Sequence, residues 1–177
     1  MEKKLSDMSL EELWKLFPIH LTEHQPDWRE WYAEEENLLK NRVSDIERIS
    51  HIGSTAISSI CAKPIIDILA EISREHKLSD YKEAIMNSGY ICMSETSDRI
   101  SFNKGYTENG FAERVYHLHL RYIGDNDEVY FRDYLIEHTD VALEYERMKL
   151  ELWKKYEFNR DGYTNSKTDF IQKDRKS

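Results

Sequence analysis

The stretch PIIDILAEI, residues 64–72, constrains this chain more than any other. Apart from Asp67 and Glu71 it is apolar at successive positions, so the strand it forms needs cover on both faces. Strands in the middle with helices on both sides follow, an α/β or α+β sandwich. Asp67 is the anomaly, because an acid is depleted in strands and costly to desolvate unless its charge is compensated. Either it is a structural carboxylate paired with Lys63, Arg114 or backbone amides, or it holds an ion or acts as a base toward an attacking hydroxyl.

Around this strand the chain reads as further elements. Ser9 caps a short helix, LEELWKLF, which Pro18 stops. IHLTEH is strand-like. Pro26 and Asp27 open an amphipathic helix, WREWYAEEENLLKNRVS, whose Trp28, Trp31, Leu38 and Leu39 form a core stripe. IERISHIG is the first expected central strand, joined to PIIDILAEI by a loop with up to two turns of helix in STAISSICAK. A helix from Ser79 and Asp80 ends at Gly89, and YICMSE, DRISFNKG and RVYHLHLRYI read as strands, with turn chemistry in NKGYTENG. DEVYFRDYLIEH, then DVALEYERMKLELWKKY with Thr139 as its cap, then a segment from Thr164 read as helices.

No linker or repeat divides the chain, so one domain over residues 1–177 is expected. A formal charge of −9 disfavours nucleic acid, whose phosphates require a dense positive face, but leaves small anions open. No apolar stretch approaches the roughly 20 residues that cross a bilayer, and the start lacks an apolar signal core, so a cytoplasmic location without membrane partners is expected. Cys61 and Cys92 lack metal-type spacing, and no disulfide is expected. The basic group Lys167, Lys173, Arg175 and Lys176 reads either as a solvated helix end or as an anion contact.

Gly53 permits close approach to the backbone, and Ser54 and Thr55 offer hydroxyls and amides where a phosphate can bind. Twelve residues separate Ser54 from Asp67, enough to return the chain into an adjacent strand beside that site. Lys63 enters the acid-bearing strand, where it either neutralises a triphosphate or covers the sheet end. His117 and His119 alternate with Leu118 and Leu120, which puts their rings on one strand face about 6.6 Å apart, a spacing that suits metal ligation. His51 is a further candidate for such a cluster.

The segment HIGSTAISSICAKPIIDI, residues 51–68, resembles the motif of the GrpB family of the nucleotidyltransferase superfamily. Similar segments are the upstream Pro-Asp-Trp and its helix, the strand with Arg114, His117 and His119, FRDYL at residues 131–135 and the terminal YTNSKTDFI, so the resemblance covers residues 19–171. It implies a mixed β-sheet flanked by helices, and a nucleotide or other small phosphorylated ligand held at Gly53 and Ser54 with a divalent metal at Asp67. Lys63 would stabilise charge in the transition state, and Arg132 and Lys167 become candidate phosphate contacts, or else pair with surface Glu residues.

Two departures stand out. Ser58 and Ser59 occupy the family's usual Pro-Gly, removing a rigid turn. Leu69 stands where nucleotidyltransferases carry a second carboxylate on the same strand face, and Glu71 is about 13 Å from Asp67, too far for ions roughly 4 Å apart. Imidazoles at His117 and His119, where relatives carry a third acid, favour Zn²⁺ over Mg²⁺. Three functions remain open. They are nucleotidyl transfer to a hydroxyl, a non-catalytic ligand-binding module, and a metal-dependent hydrolase built on His51, Asp67, His117 and His119.

Overall fold

The computed structural model describes the backbone of residues 3–175 and, within it, all side chains except those of Arg160, Asp169, Phe170 and residues 172–175. Helix α1, Leu10–Leu16, is closed by a capping box in which Glu12 N donates to Ser9 Oγ and Ser9 N donates to Glu12 Oε2. The strand expected over IHLTEH reduces to one bridge, Thr22 with Ala62, because only that residue pair of the facing loop aligns with it. Helix α2, Asp27–Arg42, buries Trp28 and Leu39, with Trp31 packed against the same core.

Strand β1, Ile46–Ile52, leads into a 3₁₀ turn, Ser54–Ala56, and then to β2, Ile65–Ile72. The turns of helix expected in this connection shrink to that single 3₁₀ turn. Ser58 and Ser59 still make a turn without Pro-Gly, because the flanking Ile57 and Ile60 are buried in a cluster with the C-terminal helices. Helix α3, Lys82–Met86, precedes β3, Ile91–Glu95, β4, Arg99–Thr107, and β5, Gly110–Tyr122. The broad turn expected over NKGYTENG is instead mostly strand. The chain reverses at Glu108 and Asn109, and the β4–β5 register slips between Lys104 and Tyr106.

The C-terminal third is α4, Asp127–Glu137, α5, Thr139–Tyr156, and α6, Arg160–Arg175. Thr139 is the first helical residue of α5 and His138 takes the cap position. Helix α6 begins four residues before the expected Thr164, which brings Tyr163 into it. No helix among the described residues is long and apolar enough to cross a membrane.

The sheet runs β1-β2-β5-β4-β3, with β2 and β5 parallel and every other pair antiparallel. Strand alternation divides its faces. Ile66, Ile68, Ala70 and Ile72 of β2 and Tyr116, Leu118 and Leu120 of β5 join Trp28, Leu39 and Ile85 in one core. The opposite face carries Ile65, Asp67, Leu69 and Glu71 beside Val115, His117, His119 and Arg121, and there Val129 of α4 packs on Leu69 and Ile52. The expected mixed sheet flanked by helices is therefore present, and its second face is the polar one.

Candidate functional site

The parallel register sets Asp67 opposite His117 and Leu69 opposite His119, while the antiparallel register sets Asp67 opposite Ile52. Gly53 follows Ile52 with φ at 76°, a left-handed conformation that disfavours a side chain. A Cβ on Gly53 would meet Asp67 Oδ2 at 2.5 Å, so the glycine lets the backbone pass against the carboxylate. Gly53, Ser54, Thr55, Lys63, Asp67, His117, His119, Arg132 and Lys167 all line one cleft of about 330 Å³, of the size that holds small ligands.

Asp67 Oδ1 lies 3.6 Å from His117 Nδ1 and 3.6 Å from His119 Nε2, and its side chain is 30% exposed to the cleft. Burial opposes its ionisation, but contact with His119 and the charges of His117, His119 and Lys167 prevail, and they hold the carboxyl well below the usual carboxylate range. His117 Nε2 is engaged with the Tyr106 hydroxyl at 2.7 Å, which fixes the ring's orientation. Leu69 is fully buried against Ile52 and Val129, and Glu71 accepts from Gly124 N at 3.2 Å away from the cleft. A pair of metal ions held by two carboxylates therefore does not fit. Among the described residues no group of three or more His, Cys, Asp or Glu converges on a metal position. An ion at Asp67 would complete its shell with ligand phosphate or water.

His51 does not join this group. It pairs with Ile68 rather than Asp67, so it faces the other side of the sheet, where its ring stacks on Tyr32 at 4.7 Å and its Nε2 meets Thr55 Oγ1 at 2.9 Å. Burial pushes its pKa down to about 4, against the opposing charge of Asp67. The metal cluster expected from His51, Asp67, His117 and His119 is corrected by this one-residue parity. Arg114 likewise faces away, paired with Glu34 and lying over Trp31, so it is not the partner of Asp67.

Besides Asp67 and Glu128, the cleft lining carries Lys63, Arg132 and Lys167. Lys63 and Lys167 both lie over the Tyr163 ring, at 4.9 and 5.9 Å. Arg132 Nη1 donates to His51 O at 2.8 Å and Arg132 Nε to Asp133 Oδ1 at 3.0 Å, which pins the guanidinium at the cleft edge. The acid that Arg132 pairs with is its neighbour Asp133 rather than one of the expected Glu residues. Lys176 lies outside the described residues, as do the side chains of Lys173 and Arg175.

Lys149, Tyr145 and Tyr163 are among the cleft residues that escaped the sequence reading. Lys149, only 2% exposed, donates from Nζ to Ser54 Oγ at 2.8 Å and to Cys61 O at 2.7 Å. Burial, with the charge of Lys167, pulls it down to about 7. Tyr145 is buried beside it, and Tyr163 is buried with its hydroxyl lacking a hydrogen-bond partner among the described residues. The available signal was helical spacing. Ala142, Tyr145 and Lys149 follow one another by three and four residues along α5, so the lysine continues a buried stripe.

The GrpB protein family model matches residues 18–176. The glutamate-rich protein GrpB of Alkalihalophilus pseudofirmus is 32% identical over 159 residues, covering 86% of this chain and 91% of that protein. The UPF0157 protein YqkA of Bacillus subtilis is 30% identical over 87% of this chain, which spans 45% of YqkA. Among solved structures, conserved protein GrpB from Enterococcus faecalis superposes with a TM-score of 0.67 at 26% identity, over 87% of this chain and 98% of that one. The Cid1 poly(U) polymerase, in a mutant bound to MgATP, superposes with a TM-score of 0.53 at 12% identity over 83% of this chain and 47% of its own. That likeness shows the nucleotidyltransferase fold alone. With its sheet, its Gly53–Asp67 packing and the family match in agreement, this chain belongs to the GrpB family.

Proposed function

We propose that the cleft binds a nucleotide or another small phosphorylated ligand, with nucleotidyl transfer to a hydroxyl as its chemistry. One observation carries the reading. In a chain of net charge −9, the side chains of Lys63, Arg132 and Lys167 gather around a cleft that also presents Ser54. Cations concentrated in a cleft focus the local field on an anion. The Tyr163 hydroxyl, buried without a partner among the described residues, adds a donor suited to a phosphate oxygen.

A divalent ion arriving with the phosphates would be held at Asp67, where it would neutralise charge on the ligand. Ser54, Lys63, Arg132 and Lys167 position the phosphates. Burial of Leu69 favours a second reading, a module on the same fold that binds this ligand without turnover, since two-ion activation of a hydroxyl has no second carboxylate here.

Thermal unfolding with each of the four ribonucleoside triphosphates, with inorganic pyrophosphate, and with Mg²⁺, Mn²⁺ or Zn²⁺ tests the binding. A ligand that binds the folded state alone raises the melting temperature by mass action. The expected result is a rise with triphosphate, larger with a divalent ion, whose ion-dependent part disappears in Asp67→Asn. A protein indifferent to every phosphate probe overturns the reading.

A further inference from the structure

Ser54 is gripped in a way that contact with a phosphate does not require. Lys149 Nζ reaches both Ser54 Oγ and Cys61 O, and Tyr145 is buried in the same cleft wall. The Cys61 carbonyl can only accept, so Nζ donates to it in either protonation state. When Lys149 is neutral, its lone pair is free to accept the Ser54 hydroxyl proton. Burial brings the amine down to about 7, which makes the neutral form available near neutral pH. Ser54 and Lys149 both line the cleft, and Lys149 is almost fully buried there. A hydroxyl within hydrogen-bond reach of a sequestered amine has the geometry of an activated nucleophile.

We propose that Ser54 is a nucleophile with Lys149 as its general base, and that with a nucleoside triphosphate in the cleft the protein nucleotidylates itself at Ser54. This rests on the phosphate-binding reading given above. Ser54 Oγ passes its proton to Lys149 Nζ and forms a bond to the α-phosphorus. The bond from that phosphorus to the oxygen bridging to the β-phosphate breaks, and pyrophosphate leaves with the electron pair. Lys63, Arg132 and Lys167 line the space into which the departing charge moves. Leu69 makes this route fit the cleft, because activation of an incoming hydroxyl by paired ions is absent and an internal amine does the same work on Ser54.

The full chain is incubated with each of the four ribonucleoside triphosphates and Mg²⁺, then followed by intact mass and peptide mapping, with thermal unfolding in parallel. The expected result is a mass gain of one nucleoside monophosphate on Ser54. It is absent in Ser54→Ala and slowed by about a hundredfold or more in Lys149→Met. If Lys149→Met fails to fold, mapping of the wild-type adduct still decides. A melting-temperature rise without an adduct overturns the nucleophile and leaves phosphate binding standing, as does an adduct that survives in Ser54→Ala. Neither a rise nor an adduct overturns both.

Discussion

Gly53 and Asp67 are packed so closely that a β-carbon on the glycine would lie 2.5 Å from the carboxylate oxygen Oδ2 and 3.2 Å from Asp67 Cβ. The Gly-Ser segment and the acid-bearing strand are thus one structural unit. Replacing Gly53 with Ala combines that clash with a φ of 76° and a ψ of −175°, a backbone region essentially reserved for glycine that costs a side chain about 1–3 kcal/mol by itself. Gly53→Ala is expected to lose more than this. In an Asp67→Ala background the loss shrinks toward the backbone cost, because the Oδ2 contact is gone and the Cβ contact stays. Denaturant unfolding of the four proteins in a double-mutant cycle measures the coupling, and additivity would refute the packing argument.

Tyr163→Phe removes a buried hydroxyl that has no partner among the described residues. Without ligand, the variant is expected to be as stable as wild type or more stable by up to about 1 kcal/mol, since an unsatisfied polar group is a cost in the folded state. Its melting-temperature rise with triphosphate should be smaller than that of wild type. A loss of ligand-free stability would mean that the hydroxyl is satisfied by ordered water.

Lys149 sets a pH dependence whose sign follows from its environment. The unfolded side chain titrates near about 10.4, and burial, with the charge of Lys167, brings the folded value to about 7, opposed by Cys61, Glu146 and Asp67. Between those values the unfolded chain holds a proton that the folded one lacks, so stability rises with pH and falls as pH drops toward 7. The wild-type free energy of unfolding minus that of Lys149→Met should climb by up to about 1.4 kcal/mol per pH unit from pH 7.5 to 9.5. A flat difference would place a fully charged lysine in the cleft wall.

Leu69→Asp restores a second acid on the face of Asp67, but beneath Ile52 and Val129 rather than in the cleft. It is expected to cost about 3 kcal/mol or more, by losing apolar burial and adding an unpaired charge. Calorimetric titration of the folded variant should show no gain in Mg²⁺ affinity. Tighter Mg²⁺ binding would mean that α4 yields and that the paired-acid site is dormant rather than closed.

His51 offers the simplest spectroscopic check of sheet parity. Stacked on Tyr32 and pushed down to about 4, its ring should show no titration in proton NMR between pH 5.5 and 8. Since the unfolded ring titrates near about 6.5, its share of stability is present above that pH and is lost as pH falls toward 4. A midpoint near 6.5 in the folded protein would return His51 to solvent.

Much of this molecule is legible in local patterns. The doubly apolar run 64–72 requires cover on both faces, and the alternation in residues 115–122 puts His117 and His119 on one face, because strand side chains repeat every two residues. The capping box at Ser9 and Glu12 is equally local. Close approach at Gly53 is foreshadowed by the residue type and by the length of chain between it and Asp67.

Pairing between strands is a different matter, since it depends on which residues meet across the sheet. His51 and Ile52 are neighbours in the chain, yet the β1–β2 register turns Ile52 toward Asp67 and His51 toward Tyr32. A shift by one residue would have exchanged them. Lys149 shows the same limit from the helical side, for in sequence it is one of several lysines along α5 and only the docking of that helix over Ser54 buries it. Local chemistry thus determined the central strands, the Ser9 cap and the identity of the acid, because those are set by the period and the backbone preferences of neighbouring residues. Tertiary structure decided which cations surround that acid, because burial and charge coupling arise only when segments distant in the chain are brought together.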